Sequence, residues 1–133
     1  MDISLELKEV EEVCTGMLRA FYGGDPDLMA HVLHDSLAKR GVITDPDSGK
    51  VTLCHAGKSQ MVEAARSCLG KIPADEWSIE TTVLDISETM ATVRVESAYL
   101  VDICQLAKVG GKWKIVNVLW TAWRTPPWFQ YDD

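Results

Sequence analysis

Asp102 and Asn117 are the two polar residues whose neighbours make chemistry conceivable. Asp102 sits in Leu100-Val-Asp-Ile-Cys-Gln-Leu, a carboxylate among apolar side chains. Taking a carboxylate out of water disfavours its charged form and raises its pKa toward values useful to a general base. Two plainer readings stand beside this one: the group points to solvent near a strand end, or it pairs with a nearby Arg. Asn117 interrupts the apolar run Ile115-Val-Asn-Val-Leu. It could hydrogen-bond a ligand carbonyl, orient Asp102, or be a buried amide satisfied within the protein. His34 is the second acid–base candidate, because imidazole titrates near neutrality. At the end of a helix it could equally interact with the last carbonyls. His31 and His34, with Asp35 adjacent, make a metal site only if the fold adds a third ligand such as His55, so no metal is predicted.

Four further side chains are candidates for contact with a ligand. Tyr22, at the end of the first helix, could place its hydroxyl at a pocket mouth, or simply pack. Lys39 and Arg40 are adjacent in a strand, so one must point away from the core. Arg40 is taken as the ligand candidate because guanidinium forks onto anions, with a structural salt bridge as the alternative. Cys104 and Trp113 fall on the face that carries Asp102. The five tryptophans could stack a planar ligand or supply core and interface mass. Thr52-Leu-Cys-His is not read as a catalytic pair, since adjacent strand residues face opposite ways.

The elements that must position these groups follow from periodicity. Val10, Cys14 and Met17 recur at helical spacing in a first helix from about Ser4, its expected N-cap, to Tyr22, ended by Gly23-Gly24. Asp25-Pro26 caps and opens a second helix running to about His34. Leu37 to Thr44 and Lys50 to Cys54 read as strands about a turn at residues 45–49. A third helix runs from about Lys58 to Leu69, its apolar face Met61, Ala65, Cys68 and Leu69. Strands are expected at Trp77–Ile86, Met90–Glu96, Leu100–Val109 and Lys112–Trp123. The chain reads as one domain, 1–133, with an aromatic, proline-stiffened tail over 125–133. Helices first and a long sheet last predict an α+β fold, a curved antiparallel sheet wrapped around helices and enclosing a pocket.

Gly110-Gly111 is a two-residue hairpin signal pairing Val109 with Lys112. Continued without interruption, this register sets Leu106 opposite Ile115, Cys104 opposite Asn117 and Asp102 opposite Leu119. Paired residues share a face, so Asp102, Cys104, Leu106, Trp113, Ile115, Asn117 and Leu119 fall together. Val116, Val118 and Trp120 fall on the other face. Both faces are largely apolar and the helices can cover only one, so a second copy is expected on the other, through Val116, Val118 and Trp120. A single bulge would shift the assignment.

The 133 residues carry 20 acidic and 13 basic side chains, a net charge of −7. That argues against nucleic acid and anionic membrane as partners, which need a basic footprint. Acid concentrated at Glu6, Glu9, Glu11 and Glu12, and at Asp132-Asp133, reads as a solvated surface. Four cysteines without close spacing, and an N-terminus without a basic start or apolar run, point to a reducing cytoplasm. No stretch approaches the roughly 18 apolar residues of a membrane helix.

The run Phe21-Tyr-Gly-Gly-Asp-Pro-Asp-Leu, then Val32-Leu-His-Asp-Ser-Leu-Ala-Lys-Arg-Gly, Met61-Val-Glu-Ala-Ala-Arg and Val101 to Asn117 resembles the family named Putative lumazine-binding. This is a SnoaL-like branch of the nuclear transport factor 2-like superfamily. The resemblance covers about Val10 to Trp120. It implies a cone-shaped, cystatin-like α+β fold with a deep pocket, usually dimeric through the sheet, and leaves the reaction open because the fold hosts many functions. The leading expectation is binding of a small, mostly apolar or planar organic molecule, with Asp102 and Asn117 fixing its polar end and without a cofactor. The alternatives are an isomerase, cyclase or hydratase with Asp102 or His34 as base, and a dimeric protein-interaction module.

Overall fold

The computed structural model describes residues 1–129, so the end of the expected tail, with Asp132 and Asp133, lies outside the described residues. The elements are α1 (Ile3–Gly23), α2 (Pro26–Val32), β1 (Leu33–Thr44), β2 (Val51–Ala56), α3 (Lys58–Arg66), a 3-10 turn at Ala74–Glu76, β3 (Glu80–Ile86), β4 (Met90–Glu96), β5 (Leu100–Val109) and β6 (Lys112–Ala122).

Asp2, rather than Ser4, caps α1: its carboxylate accepts from the N–H groups of Ser4 and Leu5 at 3.1 and 3.3 Å. A carboxylate there also suits the positive end of the helix. Gly24 ends α1 in the left-handed conformation (φ 66°), its N–H returning to the Ala20 carbonyl. Asp25 caps α2 with Pro26 at its start, as expected. That helix stops at Val32, not His34. Leu33 pairs with Ile115 of β6 and is buried, so strand pairing takes the chain out of the helix and leaves His34 in β1. Helix α3 stops at Arg66, because Cys68 adopts a positive φ of 59°; Cys68 and Leu69 are exposed instead of extending its apolar face. The segment from Trp77 does not enter the sheet until Glu80, since Ser78 turns with φ 50° and the Trp77 indole N–H donates to the Ile72 carbonyl. β2 runs to Ala56, two residues beyond the expected end.

The six strands form one curved sheet in the order β2-β1-β6-β5-β4-β3. Neighbours are antiparallel except β1 and β6, which run parallel. The helices pack on one face. Val10, Cys14, Met17 and Tyr22 of α1 and Met29 of α2 meet Val93, Val95, Leu106, Ile115 and Val118 of the sheet in the core.

The β5–β6 hairpin turns at Gly110 and Gly111, both with positive φ (60° and 76°). From the turn to Leu106↔Ile115 the pairing is the expected one. Then the register shifts: Gln105 faces Asn117, Cys104 faces Val118 and Asp102 faces Trp120. Val116 is the extra residue of a β-bulge, and one extra residue exchanges the two faces beyond it. Val118 and Trp120, expected outside, therefore turn inward. Asn117 and Leu119, expected inside, turn outward, Leu119 being 50% exposed.

Candidate functional site

A cavity of about 320 Å³ opens where β1, β2 and α3 meet the end of β6 and the chain that follows it. Its wall is built by Phe21 of α1, Ile43 of β1, Met61 and Ala64 of α3, Leu100 of β5 and Trp120 of β6. Trp128 and Phe129 close it. Trp128 packs edge-on against Phe21 and Tyr99, with ring centroids 5.1 and 5.5 Å away, and Phe129 tilts against Trp120 at 6.1 Å. These contacts are the sizes and geometries aromatic rings prefer. The Trp120 ring lies over Gly41, where an added Cβ would stand 2.3 Å from it and 2.8 Å from the Cys54 sulfur. Glycine is therefore what lets β1 accept the indole.

Among the described residues, Lys39 is the one charged side chain in the lining. It shares the inner face of β1 with Leu37 and Ile43, and its side chain is 9% exposed. Its Nζ lies 3.9 Å from Oδ1 of Asp102, whose side chain is fully buried. That separation is beyond hydrogen-bonding reach, and neither oxygen of Asp102 has a hydrogen-bond partner. Burial pushes the Asp102 carboxyl up to about 6, and the positive charge of Lys39 opposes the shift without cancelling it. Asp102 is thus desolvated, as expected, with a lysine rather than an arginine as its neighbour.

Cys104 is buried beside Cys14. Their hydrogen bond, then burial, raise the Cys104 thiol well above its usual range, and it packs in the core without lining the cavity. Tyr22 is fully buried rather than at a pocket mouth. Its hydroxyl lies 2.6 Å from Ser97 Oγ and accepts from the Tyr99 N–H, and burial raises its pKa. Trp113 stands at the far end of the sheet, its indole N–H donating to Glu6 at 2.5 Å. Glu6, expected on a solvated face, is buried and also pairs with Lys108, whose hydrogen bond holds its pKa down. Arg40 is exposed on the outer face with Ile103, Gln105, Asn117 and Leu119. The Asn117 amide donates to Gln105 there and does not reach Asp102. His34 accepts from the Ser36 N–H and is not part of the cavity wall.

Of the expected catalytic and ligand residues, the fold brings Asp102 next to the lining residue Lys39, while Tyr22, Cys104, Asn117, Arg40, Trp113 and His34 do not line the cavity; Trp120, expected in a dimer interface on the outer face, lines it instead. Lys39 was the residue missed. Its parity with Leu37, an apolar residue at the start of the expected strand, was the signal that Lys39 and not Arg40 points inward.

A sequence profile of the family named Putative lumazine-binding matches residues 6–121. The chain belongs to this family. Its fold is shared with solved nuclear transport factor 2-like proteins. One of unknown function from Shewanella baltica OS155 is 17% identical, with a TM-score of 0.73 over 94% of this chain and 99% of that one. Another, from Silicibacter pomeroyi DSS-3, is 12% identical with a TM-score of 0.71 over 92% and 99%. A ketosteroid isomerase-like protein from Erwinia carotovora atroseptica SCRI1043 is 19% identical with a TM-score of 0.65 over 90% and 98%. At these identities the likeness is one of fold. A comparison with curated proteins finds no match. No helix among the described residues is long and apolar enough to cross a membrane.

Proposed function

We propose that the protein binds a small organic molecule in the cavity beneath Trp120. The observation that carries this is the cavity itself: about 320 Å³, walled by aromatic and aliphatic side chains, with one charged group in reach. Ligand sites are commonly concave and mostly apolar, with few polar groups, from roughly 300 Å³ upward. The test is a thermal-shift screen of the purified protein against pterins, flavins, steroids and lactones. A ligand that binds only the native state stabilises it, by about 2.7 kcal/mol at a hundred times its Kd. A saturable rise in melting temperature that Trp120→Ala removes supports the reading; a folded protein with no hit in the whole library overturns it.

A second reading, proton-transfer catalysis of the isomerase, cyclase or hydratase kind, draws support from Asp102. A buried carboxyl titrating near 6 is in the range of a general base. Its signature is a turnover lost in Asp102→Asn while binding remains. The same protein is proposed to be a homodimer, the second copy covering the outer sheet face at Val101, Ile103, Val116 and Leu119, which are half-buried or exposed in the single chain. A cytoplasmic location fits the four unpaired cysteines.

A further inference from the structure

We propose that the cavity takes a small organic acid, whose anionic oxygen head sits on the Lys39 ammonium while its aromatic or alkyl body lies in the apolar lining. This rests on the small-molecule reading above and names the ligand class.

The polar groups around Lys39 carry the inference. The ammonium has three donors, yet its ion-pair partner stands at 3.9 Å, too far for a hydrogen bond. The partner, Asp102, has two buried oxygens without any hydrogen bond. A buried ion pair recovers its desolvation cost only when the remaining donors and acceptors are also satisfied. Here the two Asp102 oxygens are left unsatisfied, and the Lys39 ammonium faces the cavity, where a ligand oxygen can accept from it. Lys39 lines the cavity and Asp102 does not, so the charge a ligand meets first is positive. The chain as a whole carries −7 and repels anions, so any preference for an acid must arise locally, at Lys39.

Charge balance then sets a second property. A ligand carboxylate and the buried Asp102 would compete for one cation, and a like charge beside a carboxylate disfavours its ionised form. Above pH 6, where Asp102 is ionised in the free protein, binding therefore takes up to one proton from solvent onto an Asp102 oxygen, and below pH 6 it takes progressively less. The neutral carboxyl leaves the Lys39 ammonium to the ligand oxygen, and no covalent bond in the ligand changes. The titratable groups around Asp102 are Lys39 from β1, Tyr22 from α1 and Cys104 of its own strand, the last beside Cys14 of α1. His55 of β2 lines the same cavity.

The experiment is calorimetric titration with 2-naphthoate, octanoate and indole-3-acetate, each beside its primary amide, at pH 5.5 and 7.5. At least one acid should bind tenfold or more tightly than its amide at pH 5.5. Its affinity should fall at least tenfold at pH 7.5, and proton uptake should show in buffers of different ionisation enthalpy. Lys39→Met should bring the acid down to its amide. Asp102→Asn should keep the preference and lose the pH dependence, which decides the matter even where Lys39→Met fails to fold. His55→Ala should leave the pH profile in place. Acids and amides binding alike, or a preference that survives Lys39→Met, overturns the acid assignment and leaves the pocket standing. Folded protein that binds neither acids nor amides overturns both.

Discussion

Asp102 makes stability depend on pH in a direction opposite to that of most paired carboxylates. Its carboxyl titrates near 6 in the folded protein against 3.8 when unfolded. The folded state therefore binds the proton more tightly. Above pH 6 the native protein holds an ion it would rather protonate, and stability rises as pH falls through 6 and levels off below 3.8. At 1.36 kcal/mol for each tenfold in proton affinity, the full range is about 3 kcal/mol. Between pH 7.5 and pH 4.5 the gain from this one group is about 2 kcal/mol, because the unfolded chain has barely begun to protonate at 4.5. Glu6 and Asp35, whose pKa values are held down by Lys108 and Lys58, act in the opposite sense, losing their stabilisation as pH falls. The observable is therefore a comparison. Urea unfolding of the wild type and of Asp102→Asn is measured at both pH values, and the change in wild-type stability minus the change in the variant is taken. Glu6 and Asp35 are present in both proteins and cancel. The absolute stability of the variant is not the readout, since it leaves Lys39 without its counter-ion. The expected difference is about 2 kcal/mol in favour of the wild type at the lower pH. Parallel behaviour of the two proteins, within about 0.5 kcal/mol, would refute the claim that Asp102 is ionised and desolvated at neutral pH.

Gly41→Ala should push the Trp120 ring off β1, since the new Cβ would stand 2.3 Å from it. Overpacking of this kind costs roughly 1–3 kcal/mol, and chemical denaturation should show that loss together with weaker ligand-induced stabilisation. Asn117→Ala, at an exposed position on the outer face, should change stability by no more than about 0.5 kcal/mol and leave any cavity ligand bound; a large loss of binding would contradict the bulge at Val116. Leu119→Glu, on the same outer face and 50% exposed, should convert a homodimer to monomers in sedimentation equilibrium, whereas a wild type that is already monomeric at micromolar concentration removes the basis for the dimer.

Much of this arrangement was legible in the chain before any coordinates. The β5–β6 hairpin, its Gly-Gly turn and the pairing from Val109 to Leu106 follow from local φ requirements and two-residue alternation. Asp25-Pro26 and the apolar positions of α1 likewise act within a turn or two of themselves. The desolvation of Asp102 was readable from its apolar neighbours on either side, because parity on β5 alone sets its face. What failed was anything that crossed a bulge or depended on a partner distant in sequence. Val116 carries no residue-type mark of a bulge, yet it moves Asn117 out and Trp120 in. Glu6 looks like any exposed acid on α1 until Lys108 and Trp113, more than a hundred residues later, arrive beside it.

Read along the chain, periodicity, capping and turn chemistry were enough for the helices-then-sheet order and the buried acid on β5, because each acts locally; the family was legible separately, from the resemblance of its sequence runs. Strand parity could place Lys39 inward, but the fold was needed to bring it beside that acid and to enclose the space at Lys39 with Trp120, Trp128 and Phe129. Those outcomes depend on the parallel pairing of β1 with β6, on Gly41 yielding room for an indole, and on one extra residue in β6. Each is a relation between segments far apart in the chain, settled only when the sheet closes over the helices.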